Sequence, residues 1–83
     1  MIEIPNFVTA SNIFSEEEIN KLKSIDQLPE ETEIDAYQYQ PEIQELLNAF
    51  IGDESTRITH QLLKAKELIQ RNELLNAWKI ILL

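Results

Sequence analysis

The sequence predicts a mainly α-helical fold: a small bundle of three or four antiparallel helices with an acidic loop and room for a short extended segment around Ile2 to Val8. Three observations carry this reading. Glycine occurs once in 83 residues, and no Asn-Gly or Gly-Gly pair is present, so tight hairpin turns are not encoded. Long stretches rich in Leu, Glu and Lys suit a helix, because those side chains lose little rotamer freedom there. Apolar residues also recur at spacings of three and four over several segments, which lines them up on one helical face.

The length corresponds to one domain over residues 1–83, and a chain this short hides only about 60 to 65% of the surface its unfolded form exposes. The core is therefore expected to be thin. With 43% apolar residues, including twelve Ile and eleven Leu, the chain is too hydrophobic to be disordered, and it suits a marginal monomer or a stable oligomer equally well.

The first helix is expected over residues 15–27. Ser15 is placed to cap the amide of Glu18 while Glu18 reaches back, and Phe14 precedes the cap as a hydrophobic staple for Ile19. Ile19, Leu22 and Ile25 follow at a spacing of three, and Pro29 pushes the residue before it out of the α region. Residues 28–40 combine four carboxylates and two tyrosines without a helical period, which predicts a loop or extended segment. Pro41 opens the next helix at the position where its missing N–H costs nothing. Ile43, Leu46, Leu47, Phe50 and Ile51 form its apolar stripe, and Gly52 ends it as a left-handed cap.

Asp53 is the expected cap of a third helix, with Ile58, Leu62, Ala65 and Ile69 facing inward and Leu63 and Leu68 widening that face. Glu67 and Arg71 stand at i, i+4 as a surface pair. Asn72 can take the left-handed conformation and break the chain into a fourth helix over Glu73 to Leu83; the alternative is one continuous helix of about 24 residues. The stretch AKELIQRNELLNAWKII, from Ala65 to Ile81, resembles the second part of a tetratricopeptide motif, with Asn72 at the turn and Ala77 at a small packing position. The resemblance covers about a fifth of the chain and implies a helical hairpin with a Leu-rich seam. The Trp and Pro landmarks of that family are missing, and so is a second copy of the repeat.

Charge divides by position. Residues 1–54 hold thirteen Asp and Glu against two Lys, whereas residues 55–83 hold five Lys and Arg against two Glu. Such blocks bear on partners and association rather than on a reaction. The excess of negative charge opposes direct binding to DNA or RNA. With no Cys and a single histidine, His60, nucleophilic catalysis has no recognisable constellation, and an enzyme is not expected. Metal-ligand spacings such as H-x-x-x-H or an EF-hand loop are absent, one glycine cannot build a phosphate loop, and no cofactor is implied. Glu16, Glu17 and Glu18 are accounted for by the positive end of the first helix.

The start of the sequence, Met1-Ile2-Glu3-Ile4-Pro5, lacks the basic stretch and apolar core of a secretory signal, and the absence of cysteine gives no sign of an oxidising compartment. A cytoplasmic location is expected. Leu74 to Leu83 has eight apolar residues of ten, far short of the roughly 20 needed to span a bilayer.

That same C-terminal segment is apolar around the whole helix and so needs cover on several sides. Two readings follow: either Trp78 with Ile81 or Leu82 fills the core, or part of the surface is left for a second chain, with Trp78 as anchor and Leu75, Ile81, Leu82 and Leu83 around it. The acidic stretch Asp26, Glu30, Glu31, Glu33 and Asp35, with Tyr37 and Tyr39 beside it, is either a solvated loop or a second contact surface. The functional expectation is a small acidic protein–protein interaction module (adaptor, assembly subunit or inhibitor) acting by occupancy on a protein with a basic surface or on another copy of itself. The alternative is an inhibitor that mimics nucleic acid, since extended backbone at about 3.3 Å per residue would lay out carboxylates at intervals comparable to phosphates.

Overall fold

The structure, a computed structural model, describes residues 2–48 and 53–83. Among the described residues the chain forms six helices and no strand: α1 (Asn6–Ala10), α2 (Glu16–Lys23), α3 (Glu31–Gln38), α4 (Pro41–Asn48), α5 (Glu54–Gln70) and α6 (Leu74–Ile81). The fold is mainly α, as the composition requires, with α1 and α3 added to the three or four helices expected.

The first of these replaces the extended segment expected near Ile2 to Val8. Pro5 stays extended, and its carbonyl accepts the amides of Val8 at 3.0 Å and Thr9 at 3.4 Å, so a single turn closes. The turn puts Val8 in the core at 1% exposure. Asn12, in the left-handed region at φ 60°, redirects the chain towards α2.

At the start of α2 both halves of the capping box are present: Ser15 Oγ accepts the Glu18 amide at 3.2 Å and Glu18 Oε1 accepts the Ser15 amide at 2.9 Å. The helix stops at Lys23, four residues before the expected end. Ser24 both donates its amide to the Lys21 carbonyl and turns its hydroxyl onto that same oxygen at 2.6 Å, which offers the backbone a local alternative to another helical turn.

The second addition, α3, occupies the segment expected to be a loop. Glu30 remains extended at the cap position, and Glu33 Oε2 accepts its amide at 3.1 Å. Glu31 and Glu33 sit in the first turn, where the amide dipoles favour negative charge. Helix α4 begins at Pro41 and buries Ile43; the Phe50, Ile51 and Gly52 part of that expectation lies outside the described residues.

Asp53 caps α5 by accepting the amides of Ser55 at 3.1 Å and Thr56 at 3.3 Å. Leu62, Ala65, Leu68 and Ile69 are buried along its inner face, whereas Leu63 points outward and is 46% exposed, so only Leu68 widens the stripe. The helix breaks at Asn72, φ 62°, in a Schellman arrangement: the Glu73 amide reaches the Leu68 carbonyl at 2.8 Å and the Asn72 amide reaches that of Ile69 at 2.9 Å. The most extensive packing of the molecule is between α5 and the returning α6. The helical hairpin implied by the tetratricopeptide resemblance is therefore present, once.

Helix α6 is the centre of the core. Ala77, Trp78 and Ile80 are fully buried and Ile81 nearly so, covered by α5 on one side and by α2 and α3 on others. Two directional contacts fix it in place. Trp78 Nε1 donates to the Leu22 carbonyl at 2.9 Å, and the buried Gln61 Nε2 donates to the Ile80 carbonyl at 2.6 Å. A third links the N-terminal segments to α5: the Lys66 ammonium donates to Glu18 Oε1 at 3.0 Å and to the Ile13 carbonyl at 2.7 Å. The radius of gyration, 12.3 Å, is close to the ~12 Å expected of a compact chain of this length.

Candidate functional site

The residues singled out in the sequence divide between core and surface. Trp78 and Ile81 belong to the core, so neither is exposed to anchor a partner. The reason is α3: the helix expected to be a loop packs on α6 and, with α2 and α5, supplies the cover that so small a chain was expected to lack. Leu82 and Leu83 are half-buried against the core, and only Leu75 keeps a large exposed surface, 51%.

Tyr37 is likewise drawn inward as part of the core, with the Lys79 ammonium 5.5 Å from its ring centre. Burial pushes its hydroxyl above the usual tyrosine range, and Glu42 and Glu73 add to the effect against Lys64. It is not part of an acidic contact surface, whereas Tyr39 is exposed.

The acidic residues are exposed but not extended. Glu31, Glu33 and Asp35 lie in α3, where the rise is about 1.5 Å per residue, so the phosphate-like spacing that an extended backbone would give does not arise. What forms instead is a groove. Leu28 and Pro29, in the connection from α2 to α3, line one open groove together with Ile25 and with Leu75 of α6, 47 positions further along the chain. Asp26, Glu30 and Glu33 complete the lining with Ser24 and Gln27, and no Lys or Arg is among the described lining residues. Leu28 and Leu75 are two of the five large apolar side chains left substantially exposed among the described residues.

Each lining residue has a local structural cause. Ser24 ends α2 early and releases Ile25 to Leu28 into a connection; Pro29 and the Glu30–Glu33 contact start α3; Leu75 lies in the first turn of α6, outside the buried set of Ala77, Trp78, Ile80 and Ile81. None of the three rim carboxylates is in an ion pair among the described residues.

The other side of α6 differs in charge. A polar cleft lined by Tyr37, Glu42, Lys64, Arg71, Glu73 and Lys79 holds cations and carboxylates that neutralise one another. Lys64 pairs with Glu42, which lowers the Glu42 carboxyl and raises the Lys64 ammonium, and Arg71 meets Glu67 at 2.8 Å as the i, i+4 spacing anticipates. Lys66 is similarly engaged with Glu18. Thus three of the five basic residues of the C-terminal third are engaged within the molecule, and three of the carboxylates left without an ion pair among the described residues line the groove.

Sequence reasoning named Leu75, Asp26, Glu30 and Glu33 but missed Leu28, Ile25 and Pro29, because only the true end of α2 brings them beside α6. His60 lies on an exposed part of α5. Among the described residues no three His, Asp or Glu side chains converge to hold a metal ion, and no helix is long and apolar enough to cross a membrane. No protein-family model, curated protein or solved structure is similar enough to match this chain.

Proposed function

We propose that the protein is a small interaction module that works by occupancy, docking another protein through the groove between the α2–α3 connection and α6. The observation that carries this reading is the convergence of Leu28 and Leu75, both exposed, with three carboxylates that form no ion pair and no Lys or Arg in the lining, among the described residues. Aliphatic surface supplies affinity when covered, at about 25 cal/mol per Å² before the costs of association. The carboxylates speed the approach of a basic surface and disfavour an acidic one. A different protein is favoured over a second copy of this chain, since Lys64, Lys66 and Arg71 are already engaged with its own carboxylates. The nucleic-acid mimic gains no support, because its argument rested on an extended acidic segment that is helical.

A photo-crosslinking side chain at position 28 or 75 tests the reading in cells that express the protein. A defined adduct is expected from both positions and not from position 63, which is similarly exposed but lies outside the groove. No adduct from 28 and 75, or an equal adduct from 63, would remove the groove from consideration.

A further inference from the structure

We infer that the segment of the partner that enters this groove is a single amphipathic helix, with a stripe of aliphatic residues flanked by Lys or Arg. The inference rests on the docking reading above and adds the form and chemistry of the occupant. Peptides are bound by proteins in a few recurring ways, and the groove fits one of them. Addition of a strand needs an exposed sheet edge, and no strand exists among the described residues. Polyproline segments dock on grooves lined by aromatic rings. Here the apolar lining is Ile25, Leu28, Pro29 and Leu75, without an aromatic side chain among the described residues. An open groove of about 610 Å³ in which four aliphatic residues lie beside polar and acidic ones is instead the kind that receives the apolar stripe of an amphipathic helix, read as residues at i, i+3 or i+4 and i+7.

Charge sets the flanks of that stripe. Glu30 and Glu33 are three positions apart at the start of α3, so they are about a helical turn from each other, and Asp26 adds a third carboxylate from the α2–α3 connection. Cations placed three or four residues apart on the incoming helix match that interval. An acidic helix of equal hydrophobicity is disfavoured, because its carboxylates would be brought against three others, with no Lys or Arg among the described lining residues.

The test uses the full-length protein and four labelled synthetic peptides of about 18 residues, read by fluorescence anisotropy near physiological salt. One is an amphipathic Leu/Lys helix, the second has the same residues reordered so that Leu is spread around the helix, the third replaces Lys by Glu, and the fourth is a basic Pro-rich peptide of the same charge. The first is expected to bind and to gain helical circular dichroism on binding, with the other three at least tenfold weaker. Leu75→Asp and the double change Glu30→Lys/Glu33→Lys should each weaken the first peptide at least tenfold. Leu75 is half exposed, so Leu75→Asp is expected to unfold thermally like the parent, and Leu75→Gln serves as a milder second variant.

Equal binding of the reordered peptide, or binding of the first that ignores both Leu75 variants, would show attraction by net charge alone and overturn the inference. Preference for the Pro-rich peptide, lost in Leu75→Asp, would overturn the helix while leaving the groove as a docking site. Self-association seen by sedimentation without peptide and abolished by Leu75→Asp would make a second copy the occupant and also overturn it. If no peptide binds in a Leu75-dependent way the helix is ruled out, and crosslinking from positions 28 and 75 decides separately whether the groove docks anything.

Discussion

On one face of α6, Ala77, Trp78, Ile80 and Ile81 are at most 2% exposed, while one turn away Leu75 keeps half of its surface in water. Leu75 is as apolar as the residues of the buried face, so its own hydrophobicity does not explain its exposure. The buried face is tied down by the Trp78 indole on the Leu22 carbonyl and by Gln61 on the Ile80 carbonyl, and it is covered by three other helices. The face carrying Leu75 meets the end of α2, where the chain has left the helix and cannot close over it. One eight-residue helix therefore fills the core with one side and leaves Leu75 in water on the other, and substitutions should separate stability from the proposed docking.

The largest effect should come from the covered side. Trp78→Ala is expected to cost about 3–5 kcal/mol, a large part of the stability of so small a domain, and to abolish or strongly shift the cooperative urea transition. Trp78→Phe keeps most of the volume but leaves the Leu22 carbonyl without its donor, at a cost of about 1–3 kcal/mol. If Trp78→Ala melted like the parent, the indole would not be part of the core and the contrast between the faces would be lost.

Acid should act next, through Glu18. Burial pushes its carboxyl up, but the amide and hydroxyl of Ser15 and the ammonium of Lys66 outweigh this and hold it below its ordinary 4.5. A carboxylate held low in the folded state stabilises it at pH values above the unfolded pKa and loses that contribution as pH falls through the folded one. Asp53, held low by Thr56, and Glu42, held low by Lys64, act in the same direction. Urea midpoints measured from pH 7 to pH 3 should fall below about pH 4.5, with a shallower fall in Glu18→Gln. An unchanged slope in that variant would show that the Glu18 contacts contribute little.

A smaller effect is expected at the turn joining α5 to α6. Asn72→Ala should cost about 1 kcal/mol, since an alanine side chain disfavours φ near 62°, whereas Asn72→Gly should be neutral or mildly stabilising. Equal stabilities would mean that the turn does not need the left-handed residue. The smallest effect sharpens the contrast from the other side. Leu75→Asp should change stability by no more than about 0.5 kcal/mol in the same assay, and a larger loss would place Leu75 with the core.

Legibility in the sequence followed the strength of local chemistry. Ser15, Pro41, Asp53 and Asn72 each act within one helical turn, and each marks the boundary expected of it. Helix α3 was illegible because Tyr37 is the one residue it buries, too few to show a period, while its acids suggested solvent. The early stop at Ser24 was masked by Ile25, which continued the apolar spacing beyond the helix. The site was half legible for the same reason. The composition around Leu75 and Glu30 drew notice, but which apolar residues stay exposed depends on α3 covering Trp78, and that is a tertiary outcome no local pattern encodes.

The turn at Asn72 also bears on the order of assembly. Because α5 and α6 are neighbours in sequence, their seam needs only a short loop to close, whereas the Lys66 contacts to Ile13 and Glu18 bring together segments 53 and 48 positions apart. The hairpin is thus the part that can nucleate first, and α1 and α2 dock onto a surface already made. Changes within the seam should then slow refolding, while loss of the lysine clasp should mainly hasten unfolding.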